Sequence, residues 1–159
     1  MRKRLQLYVA VFASLFIAMF TVAHAGEASR SVSAHGLTVH YGIVPASKAA
    51  DSARTAASDV GAVNPDTYHL TVAIFDSATG RRLSDATVLA SVKGPRRNDT
   101  RFHSKPVEKR LDPVKIGNAV TYGNDFEMPW SGIYHVDLTV TQKDQSKPTS
   151  IRFNYDHRF

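Results

Sequence analysis

The chain has no cysteine among its 159 residues. That absence excludes disulfides, thiolate metal sites and cysteine nucleophiles together. Methionine is scarce as well: there are three in the whole chain, and only Met128 lies beyond residue 25. Any metal chemistry must therefore rest on imidazole and carboxylate. Catalytic and nucleotide-binding patterns are also missing, with no G-x-S-x-G elbow, no H-E-x-x-H pair, no P-loop and no dinucleotide fingerprint. The chain is read as a non-enzyme, and a hydrolase without a known motif is the remaining catalytic alternative. After the first 25 residues no apolar run reaches the roughly 20 residues that a spanning helix needs.

What is present begins with an export signal. Met1 to Arg4 is basic, and Leu5 to Val22 is apolar apart from Gln6, Ser14 and Thr21. Ala23-His24-Ala25 then supplies the small-x-small pattern of a signal-peptidase site. Residues 1–25 are expected to be removed before Gly26, which places the mature chain in the periplasm; an uncleaved anchor is the rival reading. The leader carries Arg2, Lys3 and Arg4 and no acid, so the formal charge of +6 falls to +3 after cleavage, 17 bases against 14 acids. The bases left are thinly spread except at Arg96, Arg97 and Arg101 and at Lys109-Arg110. They read as solvated surface, not as a nucleic-acid face.

The mature part, 26–159, is one domain's worth of chain. Residues 26 to 34 are small and polar and read as a disordered lead-in. Leu37, Val39, Tyr41 and Ile43 alternate with Thr38 and His40, which predicts a first strand ended by Pro45. Residues 46 to 64 are rich in Ala and Ser and lack an apolar stripe. They read as a mobile insertion outside the core, with a short helix over roughly Ser47 to Ser58. Tyr68, Leu70, Val72 and Ile74 define a second strand, whose other face carries His69, Thr71, Ala73 and Phe75. Asp76 to Gly80 is turn chemistry for a hairpin, and Ala86, Val88, Ala90 and Val92 form the returning strand.

Val107 to Leu111 reads as a fourth strand that Asp112-Pro113 ends in a bend. Ala119 to Met128 reads as a fifth strand with a bulge at Gly123-Asn124. Gly132-x-Tyr134 then opens a strand in which Tyr134, Val136, Leu138 and Val140 face one way, and the Tyr134 hydroxyl is expected to tie the corner. Ile151, Phe153 and Tyr155 mark the last strand. The pattern predicts an all-β, immunoglobulin-like antiparallel β-sandwich of about seven strands. The alternation up to Phe159 also matches the end of an outer-membrane barrel, but the other strands are interrupted by Pro and show no repeated spans of about 10 residues.

Six histidines follow residue 25: His35, His40, His69, His103, His135 and His157. No two have the spacing of a metal-ligand pair. Solvated histidines on outward strand faces are the plain reading of His40 and His135. His69 stands out because it lies mid-strand among core residues. With imidazole and carboxylate as the available donors, the Irving–Williams order favours Cu(II) over iron.

Pro65 to Phe75, Thr79-Gly80, the Leu111-Asp112-Pro113-Val114 bend, Tyr122-Gly123, Met128 and Gly132-x-Tyr134 occur in an order that resembles the periplasmic iron-transport accessory proteins. Those are immunoglobulin-like, copper-binding partners of an inner-membrane iron permease. The stretch from 65 to 142 is also similar to the wider YtkA-like group of exported sandwiches. The resemblance implies an accessory protein of iron or copper uptake, partnered by an inner-membrane transporter or another envelope protein. It retains only His69 of the family's ligand set. Relatives carry a second His where this chain has Phe75, a Met where it has Val114, and a His where it has Thr121. Asp112 is the local replacement, and with Met128 and His135 it completes the expected donor set around His69. The competing reading is a structural β-sandwich module of the envelope that binds a partner and no metal.

Overall fold

The computed structural model describes residues 30–53, 64–96 and 105–158. The leader, the second half of the Ala/Ser-rich insertion, and Arg97, Arg101 and His103 lie outside the described residues. Among the described residues there are eight strands and one helix: β1 (Ser31–Ala34), β2 (Leu37–Pro45), α1 (Ala46–Ala53), β3 (Thr67–Asp76), β4 (Thr87–Lys93), β5 (Val107–Ile116), β6 (Ala119–Glu127), β7 (Gly132–Thr141) and β8 (Thr149–His157).

The all-β antiparallel expectation holds, but the strands number eight and form a single sheet ordered β1-β2-β3-β6-β5-β4-β7-β8. The extra strand is β1, in the stretch read as a disordered lead-in. Its side chains are too small and polar to show alternation, and its pairing comes from a tight turn. Ala34 pairs with Leu37 across His35 and Gly36, both of which have positive φ, 51° and 79°. That is the backbone twist of a two-residue hairpin.

Three expectations for the middle of the chain are corrected. First, β3 and β4 are not a hairpin. Asp76 does build the turn, its Oδ1 accepting from the Thr79 amide (2.8 Å) and the Thr79 hydroxyl (2.7 Å). The chain returns, however, for only one isolated bridge, Phe75 with Arg82. The buried Tyr122 then holds the crossing segment: its hydroxyl donates to the Leu83 carbonyl at 3.1 Å and accepts from the Ala86 amide at 3.0 Å. Burial pushes the Tyr122 phenol above its ordinary pKa, which keeps the O–H that this double bond needs.

Second, Asp112-Pro113 does not end β5. Val107 to Leu111 pairs with β4, and Asp112 to Ile116 pairs with β6. The strand changes partner at this point and carries the sheet round a corner. A strand paired on one side can seat a proline, because the missing N–H can face away from the ladder.

Third, β6 has no bulge. Tyr122, Gly123 and Asn124 pair with Val72, Thr71 and Leu70 without a slip.

The ends of the sheet approach each other. Tyr41 of β2 stacks on Phe153 of β8 with ring centroids 3.9 Å apart, so the sheet is wrapped almost into a barrel. The expected core forms inside it: Leu37, Val39, Leu70, Val72, Ile74, Val136, Leu138, Val140, Ile151 and Phe153 are buried, and Tyr41 is half-buried against them. Burying each Leu, Ile or Val stabilises the fold by about 1.5–3 kcal/mol. The corner at Tyr134 is tied as expected, its hydroxyl accepting from the Trp130 amide at 3.2 Å. In α1, Ala46 is buried. No helix among the described residues is long and apolar enough to cross a membrane.

Candidate metal-binding site

His69 lies on the outer face of β3, between the inward-facing Tyr68 and Leu70. Antiparallel register sets Asp125 of β6 directly beside it, and register partners share a face of the pleat. The side chains meet: His69 Nδ1 is 2.6 Å from Asp125 Oδ1. A carboxylate only accepts, so Nδ1 carries the proton, and in the neutral ring Nε2 is the nitrogen with the lone pair. This is the arrangement by which protein carboxylates orient a metal-ligating imidazole.

Glycine at position 123 makes room for the ring. A Cβ there would stand 2.6 Å from His69 Nε2 and 3.1 Å from Cε1. Any larger residue would collide with the imidazole. His69 therefore lies across the Gly123 backbone, with 27% of its side-chain surface exposed. Neighbouring contacts hold β6 in place, as Lys109 Nζ donates to the Asp125 carbonyl at 2.7 Å and Asn124 donates to the Arg110 carbonyl at 2.8 Å.

The other expected donors are placed as follows. Asp112 is exposed and pairs in register with Gly123, which sets it beside the backbone that His69 covers. Met128 is fully buried and belongs to the core, so its thioether is on the other side of the sheet from His69. His135 is on the outer face of β7, in the other half of the sheet. Its Nδ1 is 2.8 Å from Asn154 Oδ1, and it lines a separate depression of about 340 Å³ with Lys93 and Arg152. His69 and Asp112 are thus neighbours across β6, while Met128 and His135 point elsewhere.

The resemblance led to the expectation of a Met and a His at Val114 and Thr121. Val114 and Thr121 are register partners on the same outer face, one row beyond Gly123. Phe75 instead packs edge-on against His40 and under the Arg82 guanidinium. Among the described residues, no three His, Asp or Glu side chains are grouped to hold a metal ion.

Two residues were not singled out in the sequence. Asp125 is 56 positions from His69, and only the register of β3 on β6 joins them. His157 stands next to the terminus and continues the alternation of Ile151, Phe153 and Tyr155; it is 1% exposed. Its ring packs against Tyr68, Tyr134 and Tyr155, with centroids 4.5, 5.8 and 5.8 Å away. Burial lowers its pKa below the ordinary 6.5, outweighing the opposing effects of the Met128 backbone and of Asp66.

No known protein family and no curated protein matches the chain. Solved structures do. A DUF4426 family protein from Pseudomonas aeruginosa PAO1 superposes with a TM-score of 0.57 at 15% identity, covering 80% of this chain and 94% of that one. FetP of uropathogenic Escherichia coli strain F11 gives 0.54 at 14% identity, covering 80% and 91%. A copper-bound variant of FetP gives 0.55 at 12% identity, covering 82% and 95%. At these identities the likeness is one of fold: this chain has the same wrapped antiparallel architecture as the DUF4426 protein and FetP.

Proposed function

We propose that this protein is an exported, periplasmic accessory module of metal handling, in which His69 is the imidazole offered to Cu(II). One observation carries the reading: Asp125 holds Nδ1 of His69, leaving Nε2 of a ring that is 27% exposed over Gly123. Copper-bound FetP, a protein of similar fold, supports the choice of metal. The residues fit an open anchor, with one imidazole and the Asp112 carboxylate across β6. They do not fit a closed, all-protein coordination shell. Such a site captures and hands on a metal and does not hold it permanently. Its partner is a transporter of the inner membrane or another envelope protein, and the module is not an enzyme.

The test is a Cu(II) titration of the protein purified from the periplasm with its tag removed, followed by calorimetry and electron paramagnetic resonance. Wild type should show one site with imidazole nitrogen coupling. His69→Ala should abolish it, and Asp125→Asn should weaken it about 10–100-fold, the usual cost of losing an orienting carboxylate. Binding by His69→Ala equal to wild type would remove the assignment. The metal-free interaction module would then stand, favoured by one feature: β5 exposes Val114 (44%) and Ile116 (66%) where it pairs only with β6, an edge suited to strand addition.

A further inference from the structure

On the outer face of the other half of the sheet, register sets polar side chains in two rows. Lys93 of β4, His135 of β7 and Asn154 of β8 form one row, and Ser91, Asp137 and Arg152 form the next. All of them line the depression of about 340 Å³, which Pro106 borders on the β5 side. Its acceptors are already in use. Asp137 Oδ1 accepts from the Ser150 hydroxyl at 2.7 Å, and Oδ2 accepts from Arg152 Nε at 2.6 Å. Asn154 Oδ1 accepts from His135 Nδ1 at 2.8 Å. Its donors are left over. Lys93 Nζ and the Ser91 hydroxyl have no partner among the described residues. The terminal N–H groups of Arg152 and the Asn154 side-chain NH2 are unused as well, since Arg152 bonds only through Nε and Asn154 only through its oxygen.

Charge points the same way. Lys93 and Arg152 are cationic, and the one carboxylate among the lining residues, Asp137, is paired with Arg152. Glu108 lines only the neighbouring depression. Free cationic donors beside occupied acceptors select a ligand of anionic oxygens. The layout of the donors says how many anionic groups it carries. β4 supplies one cation and one neutral donor, Lys93 and Ser91, and β8 supplies the same, Arg152 and Asn154. These two strands flank β7, so their donor pairs arise two strand spacings apart, about 10 Å across the sheet. A single carboxylate satisfies one pair and leaves the other idle, whereas a molecule with a carboxylate at each end engages both. The depression is at the small end of ligand-sized cavities, which matches a short chain. We infer that it binds a small aliphatic dicarboxylate, with one carboxylate received by Lys93 and Ser91 and the other by Arg152 and Asn154. This site is separate from His69 and does not depend on the metal reading.

The test titrates succinate, glutarate, acetate and inorganic phosphate into the metal-free protein by calorimetry. Ionic strength is held constant, because salt screens exposed charges. The better of the two dicarboxylates should saturate one site and bind about tenfold or more tighter than acetate or phosphate. Lys93→Gln and Arg152→Gln should each weaken it about tenfold or more, the scale of one hydrogen bond to a charged group, with circular dichroism confirming that each variant folds. Lys143→Gln removes the same charge from the β7–β8 connection, beyond the far end of β7, and should leave the affinity unchanged. Three results would overturn the inference. Neither dicarboxylate saturates a site; or acetate or phosphate binds as tightly as the dicarboxylates, so that nothing spans the two strands; or Lys143→Gln costs as much as Lys93→Gln, so that the binding follows net charge and not this depression.

Discussion

His157 should make the fold weaken in mild acid. The ring is buried among three tyrosines, where the neutral form is favoured because burial penalises the charge. In the unfolded chain an ordinary histidine takes up its proton near pH 6.5. Below that pH the unfolded state binds a proton that the native state refuses, so stability falls as pH falls. One proton sets a ceiling of about 1.4 kcal/mol per pH unit, or about 2.7 kcal/mol between pH 6.5 and 4.5 if the native ring stays neutral throughout. Above pH 6.5 this contribution is complete and flat. His157→Phe keeps an aromatic ring in the cluster and cannot titrate. Urea unfolding of both proteins at half-unit steps from pH 8 to 4.5 isolates the effect, since the carboxylates are common to both. The difference between wild type and variant should be constant above pH 6.5 and shift against wild type below it. Parallel curves throughout would refute the reasoning, as would a histidine whose NMR titration midpoint at this position is 6.5 or higher.

Two further outcomes follow from the geometry. Tyr122→Phe removes the hydroxyl that serves both the Leu83 carbonyl and the Ala86 amide; urea unfolding should show a loss of about 1–3 kcal/mol, the cost of leaving buried polar groups unpaired. Gly123→Ala places a methyl where His69 Nε2 now lies; it should break the Asp125 contact and weaken Cu(II) binding about 10–100-fold by calorimetry, whereas Gly117→Ala, remote from the site in the β5–β6 turn, should leave binding unchanged.

The strands were legible where the signal is local. In β2, β3, β4, β7 and β8 successive side chains alternate between core and solvent, and that pattern is written in consecutive residues. The Tyr134 tie was equally legible, because its partner Trp130 lies four residues upstream. The short β1 was not: a strand with small polar side chains carries no alternation, and only its turn and its partner make it a strand. For the site, the sequence by itself singled out His69, whose mid-strand place in a periodic segment is a local fact. It could not tell that Asp112 pairs beside the backbone His69 covers, while Met128 lies in the core and His135 on another strand.

What remained was set by pairing between distant segments. Register decided that Asp125 meets His69 and that Asp112 lies beside Gly123. The change of partner in β5 decided that Pro113 belongs inside a strand. Closure of the sheet decided that a histidine two residues from the end of the chain is among its most buried side chains. Side-chain period is a property of the chain alone, so the sequence determined which segments are strands and which of their faces turn inward. Which strand lies beside which depends on hydrogen bonds between backbones that are nearly identical along the chain, and only the folded sheet chooses among them.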